Sequence, residues 1–156
     1  MYNADVFIEN SEHNVTQLTL EAAHEQLAAH NLKPENMRFV TVEAMDPELL
    51  ESCTTTEDES FYNSYMNVIF GKGDRYVLGY RCEDEVIDHA IIKSGDKYYD
   101  PTLQIKGDFK PYRYAILTEF KVFDVMRHAK ANKDFPPDVD YLRSKPKQYK
   151  NVIITA

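Results

Sequence analysis

The sequence predicts an α+β fold, because helical spacing fills the first half while β-branched and aromatic residues crowd the stretch after Arg75. The two patterns are segregated along the chain and do not alternate. Its 156 residues suit a single domain spanning 1–156, at about 150 residues per domain. A hydrophobic fraction of 43% and a charged fraction of 28% are those of a chain that buries a core.

The first helix is expected from Thr16 to His30, where Leu18, Leu20, Ala22, Ala23, Leu27 and Ala28 make an apolar stripe that Asn31 and Pro34 end. Phe39, Val40, Thr41 and Val42, inside Met37 to Glu43, read as a short strand. Asp46 and Pro47 open a short helix that closes near Ser52. Thr56 and Glu59 have the spacing of a capping box, with Glu57 and Asp58 where a helix N-terminus favours negative charge, so a helix is expected to start there. Phe61, Tyr65, Val68 and Ile69 give it an apolar face, and Gly71 and Gly73 stop it.

From Arg75 the period changes. Arg75 to Glu83, Asp88 to Lys93 and Lys97 to Asp100 read as strands of an antiparallel sheet. Pro101, Gly107 and Pro111 punctuate a loop, and Tyr112 to Leu117 adds a strand. Thr118 to Lys133 returns to helical spacing through Phe120, Phe123, Val125, Met126 and Ala129, until Pro136 and Pro137 break it.

Charge narrows the function classes. With 18 Lys and Arg against 26 Asp and Glu, a net −8 disfavours binding to nucleic acid or to anionic lipid. No window reaches the roughly 18 apolar residues of a membrane span, and Met1 to Asn10 lacks the basic start and apolar run of a secretory signal, so a cytoplasmic protein is expected. Cys53 and Cys82 have no paired short spacing, which argues against a disulfide framework or a cysteine zinc site. Neither a metal nor a cofactor is expected.

The stretch from His89 to Thr102 carries the chemistry. With Ser94 and Gly95 as a two-residue turn, Ile91 faces Tyr98, Ala90 faces Tyr99 and His89 faces Asp100. Directly opposed residues have Cβ atoms about 4.5–5.5 Å apart, close enough for a carboxylate to accept a hydrogen bond from an imidazole N–H. That contact fixes the ring's tautomer and leaves the other nitrogen to act as a base. The plainer reading is a surface ion pair worth under about 1 kcal/mol.

Ser60-Phe61-Tyr62-Asn63-Ser64 at a helix start, Tyr76-Val77-Leu78-Gly79-Tyr80 on a strand, His89-Ala90, and Gly95 through Asp100-Pro101-Thr102 follow one another in order. This series resembles small bacterial and phage proteins of the transglutaminase-like, papain-like cysteine-peptidase superfamily. There a Cys-aromatic-x-Asn-Ala segment opens the helix, and a His-Ala-Trp strand turns back into an Asp-Pro-Thr strand. The likeness covers about the middle third of the chain. It implies a nucleophile-bearing helix packed on an antiparallel sheet, a nucleophile at Ser60, His89 as base, Asp100 as orienting group, and acyl transfer on a protein or peptide amide.

Two departures stand out. Ile91 replaces the family's Trp, and Ser60 replaces its cysteine, although a hydroxyl is far less acidic than a thiol. A substitution that traps an inactive form, a natural serine variant, and a degenerate scaffold of a phage or bacterial effector kept for binding all stay open. Serine is also a favoured helix N-cap. Asn63, one turn on, either donates to a substrate or caps a neighbouring loop. Tyr98 is a candidate for a peptide groove, though Tyr98 and Tyr99 lie on alternate faces, so at least one packs.

The remaining candidates have ordinary explanations. Cys53 is a rival nucleophile just before the helix, but no aromatic-x-Asn motif follows it, and a half-buried small hydrophobe is the plainer role. Cys82, beside Arg81, takes a core or edge position. His13, His24, His30 and His128 are scattered; six residues separate His24 from His30, on different helix faces. Glu83-Asp84-Glu85 marks a solvated loop, and Gly71-Lys72-Gly73-Asp74 lacks the spacing of a phosphate loop.

Overall fold

The computed structural model describes residues 17–154, so Thr16 and His13 lie outside the described residues. Along the chain come α1 (Leu20–Ala29), a 3-10 turn (Pro34–Asn36), β1 (Arg38–Thr41), α2 (Pro47–Glu51) and α3 (Ser60–Ile69). They are followed by β2 (Arg75–Cys82), β3 (Val86–Ser94), β4 (Lys97–Tyr99), α4 (Pro101–Ile105), β5 (Arg113–Lys121), α5 (Val122–Ala131) and α6 (Val139–Arg143). All five strands pair antiparallel in one sheet, in the order β1-β5-β2-β3-β4. The class is α+β. Among the described residues no helix is long and apolar enough to cross a membrane.

Alternation along the strands divides the buried residues into two clusters. Tyr76, Leu78, Tyr80, Ala90 and Ile92 join Leu27, Val68, Val125 and Leu142 from the helices in the larger one. Val77, Ile91, Tyr98, Tyr114 and Ile116 make the smaller one on the opposite sheet face. By parity, Gly79, Arg81 and His89 belong to this second face.

Local chemistry sets the element ends. Thr19 caps α1 by accepting from the Ala22 N–H at 3.0 Å, and Asp46 caps α2 at Glu48 in the same way at 2.9 Å. At the far end of α3, Gly71 takes φ 77°, while the Lys72 N–H reaches the Asn67 carbonyl at 2.7 Å and the Gly71 N–H that of Val68 at 3.1 Å. This is a Schellman stop, and it accounts for the glycine.

The capping-box expectation is corrected. Helix α3 starts at Ser60, with Glu59 at the cap making no side-chain bond and Asp58 in the left-handed region at φ 57°. The reason lies in Asn63, whose side chain accepts from the Thr56 N–H at 2.9 Å and donates to the Thr56 carbonyl at 2.7 Å. Asn67 clasps Thr54 likewise, at 2.6 and 3.1 Å. The approach to the helix is thereby held along its side.

Two further expectations shift. Strand β5 runs on to Lys121, four residues past its expected end, because Thr118 to Lys121 pair with Leu78 to Arg75. Phe120 is thus a buried strand residue, and Phe123, counted on the helix's apolar face, is 81% exposed. The expected loop after Asp100 contains α4, with Pro101 at its first position and Asp100 as its cap, an arrangement that suits proline at a helix start. Asp138 caps α6 in the same fashion, beyond the two prolines.

Candidate active site

The β3–β4 hairpin turns on Gly95 and Asp96, with Gly95 at φ 63°, so Ser94 pairs with Lys97 and Ile92 with Tyr99. The expected turn at Ser94-Gly95 and the direct pairing of His89 with Asp100 are corrected. The slip is two residues, which leaves every side chain on its expected face because the strand period is two. His89 and Asp100 therefore still meet, diagonally, with Nε2 and Oδ2 2.8 Å apart.

Both groups are buried, His89 at 7% and Asp100 at 1% exposure. Asp100 has left the strand to cap α4, where Oδ1 accepts from the Leu103 N–H at 3.2 Å, and Oδ2 also accepts from the hydroxyl of Tyr114. The Nε2–H of His89 points off the line to Oδ2, so their contact is more electrostatic than a straight hydrogen bond. Burial pushes the Asp100 carboxyl up, but the charge interaction with His89 and the contacts from His89, Tyr114 and Leu103 outweigh it and hold it below the ordinary value. Burial and the neighbouring Asp100 charge push the Tyr114 phenol well above its usual value, keeping it a donor.

The sign of this shift gives a pH prediction. A lowered folded value makes Asp100 a stabilising group above the unfolded carboxylate range, near pH 4, and the contribution is lost as pH falls further through the folded value. Asp100→Asn is expected to flatten the acid limb of stability below about pH 4 in urea titrations. An unchanged limb would mean the carboxylate is not held ionised.

Ser60 occupies the first position of α3 and is 5% exposed. Strand β4 stops opposite Ile92, leaving the rest of the β3 edge uncovered on that side, and the Oγ of Ser60 accepts from the Ala90 N–H there at 3.3 Å. Helix start and strand edge are thus tied together next to His89. Ser60, Phe61, Arg81, His89 and Thr102 line one cleft of about 530 Å³.

Arg81 is the residue that sequence reasoning missed. On β2 it sits two positions from Gly79, which pairs with His89, so it lies diagonally across the same face. Its Nη1 donates to Nδ1 of His89 at 3.2 Å, while Nε and Nη2 lie 2.9 and 2.8 Å from one carboxylate oxygen of Glu83. The even spacing from Gly79 to Arg81, once β2 is paired with β3, is the signal that would have found it.

The other expected site residues fall elsewhere. Asn63 is fully buried, and its amide is spent on Thr56 and on the Thr102 hydroxyl at 3.0 Å, so the loop-capping alternative describes it and the substrate-binding role is corrected. Tyr98 is buried too, its hydroxyl held between Arg38 and Glu119 away from the cleft lining, which removes it from a peptide groove. Cys53 packs with its sulfur 3.6 Å from that of Met45, and burial pushes its thiol up despite Lys72. Burial pushes Cys82 up to about 11. Neither is poised as a thiolate. His24 stacks on Phe39, His30 lies against Tyr80, and His128 shares a hydrogen bond of 2.6 Å with the Tyr141 hydroxyl.

Comparison with family models, with curated proteins and with solved structures finds no match to this chain.

Proposed function

We propose that the cleft is an acyl-transfer site of the papain and transglutaminase kind, acting on an amide of a protein or peptide, with serine at the nucleophile position. One observation carries the reading: Ser60 at a helix start and His89 line a single cleft, and the buried Asp100 carboxylate lies 2.8 Å from the ring behind it, in the chain order that the resemblance implies. In this chemistry the side chain at 60 attacks the carbonyl carbon and its proton passes to Nδ1 of His89. The oxyanion takes the N–H groups at the start of α3, which have no partner within the helix. The ring then protonates the leaving amine, and water or another amine releases the acyl group.

As serine, the site is a weak nucleophile. A second reading is favoured by the hydrogen bonds present: the Oγ of Ser60 faces the Ala90 N–H, and Nδ1 of His89 faces Arg81, so no hydrogen bond joins nucleophile and base. On that reading the protein is a non-catalytic phage or bacterial effector that holds its partner in a degenerate groove. A cytoplasmic setting accords with either, since both cysteines are free thiols.

The deciding experiment installs sulfur by Ser60→Cys and offers p-nitrophenyl acetate as an activated acyl donor. Acyl transfer calls for a burst of p-nitrophenol, an acetyl group at position 60 by mass spectrometry, and loss of both in Ser60→Cys with His89→Ala. Absence of acylation at that position would leave the binding reading.

A further inference from the structure

We infer that Arg81 gates the base: its guanidinium caps Nδ1 of His89 and must swing away before the ring can take a proton from the nucleophile. The inference rests on the acyl-transfer reading and adds to it a residue that controls when the site is competent.

A guanidinium has donors and no acceptor. The 3.2 Å contact from Nη1 therefore requires a lone pair on Nδ1, and the ring proton of the neutral imidazole must sit on Nε2, the nitrogen 2.8 Å from the Asp100 carboxylate. Both ring nitrogens are thus engaged. The nitrogen with the lone pair, the only one able to act as a base, is the one that Arg81 covers.

The opposite role, in which the positive charge of Arg81 assists a developing thiolate, is the weaker one here. Glu83 meets that charge at 2.8 and 2.9 Å, so an ion pair, not a bare cation, faces the cleft. Its field falls off faster with distance than that of a lone charge, whereas the hydrogen bond on Nδ1 has to be broken outright. Glu83 also anchors the side chain from its far edge, and Tyr112 lies under the guanidinium at 5.9 Å. With a side-chain exposure of 11%, Arg81 is held in place and does not sample solvent freely.

The test measures alkylation of the introduced sulfur in Ser60→Cys by iodoacetamide, located by peptide mapping. Adding Arg81→Met is expected to raise the rate about ten- to a hundredfold, the factor that a hydrogen bond involving a charged group represents. Glu83→Gln, which removes the anchor, should raise it by a smaller factor and add nothing in the Arg81→Met background. Both gains should vanish with His89→Ala, and the Nδ1 nitrogen resonance of His89 should move in Arg81→Met, changes that a purely structural role would not produce. Equal or slower alkylation in Arg81→Met, with labelling still dependent on His89, overturns the gate and leaves the acyl-transfer reading standing. Labelling indifferent to His89 in every variant overturns both.

Discussion

Replacing Asp100 by alanine is expected to cost about 3–5 kcal/mol in urea denaturation, the range for breaking a buried charged contact by removing one partner. Three losses coincide in that single change. The Tyr114 hydroxyl, in a residue 1% exposed, loses its acceptor; α4 loses its cap at Leu103; and the His89 ring loses the carboxylate at Nε2. A domain of this size has roughly 5–15 kcal/mol in all, so the variant should be marginal at 37 °C. Asp100→Asn keeps the shape and an acceptor for Tyr114, and should recover more than half of the loss. A loss under about 1 kcal/mol in Asp100→Ala would mean the carboxylate behaves as a surface charge.

Gly79→Ala is expected to cost about 3 kcal/mol, at the top of the range for overpacking. A Cβ at that position would lie 2.1 Å from the Ala115 carbonyl oxygen and 3.2 Å from the Ile116 Cα, backbone atoms that cannot rotate aside. The register between β2 and β5 shifts between Leu78 and Gly79, so the close approach belongs to an irregularity that bends the sheet. Gly79 also pairs with His89, so forcing β2 and β5 apart displaces the strand that carries Arg81 opposite the imidazole. Chemical denaturation measures the loss, and full stability in Gly79→Ala would show that the strands are not in this register.

Periodicity made the faces legible, and not the partners. The hairpin register was off by two residues, yet His89 and Asp100 met, because an even slip preserves the face and the carboxylate is carried just past the end of β4. Local cap chemistry marked α2 clearly, at Asp46 and Pro47, whereas α1 starts only at Leu20, where Thr19 caps it. Cap chemistry misled at Thr56, where the helix residue Asn63 captured the backbone N–H that a capping box would have used, as Asn67 captured that of Thr54. Their four-residue spacing on one face of α3 is visible in the sequence, but its purpose depends on a loop folding back along the helix. Strand β5 ran past Leu117 because pairing with β2 overrode a local helical spacing.

Arg81 was the costliest omission. Its role requires β2 and β3 to be paired as well as β3 and β4, and the resemblance singled out only Tyr76 to Tyr80 on that strand. The same pairing explains why the glycine in that segment matters: it sits between the arginine and the valine on the face that carries the histidine.

The most direct measurement is nitrogen-15 NMR of the His89 side chain at neutral pH, assigned by comparison with His89→Ala. The expected spectrum has the proton on Nε2 and a bare Nδ1 whose resonance responds to Arg81→Met, while Asp100→Asn perturbs the Nε2–H. A ring with its proton on Nδ1, or one that senses neither Arg81 nor Asp100, would contradict the arrangement on which the site depends.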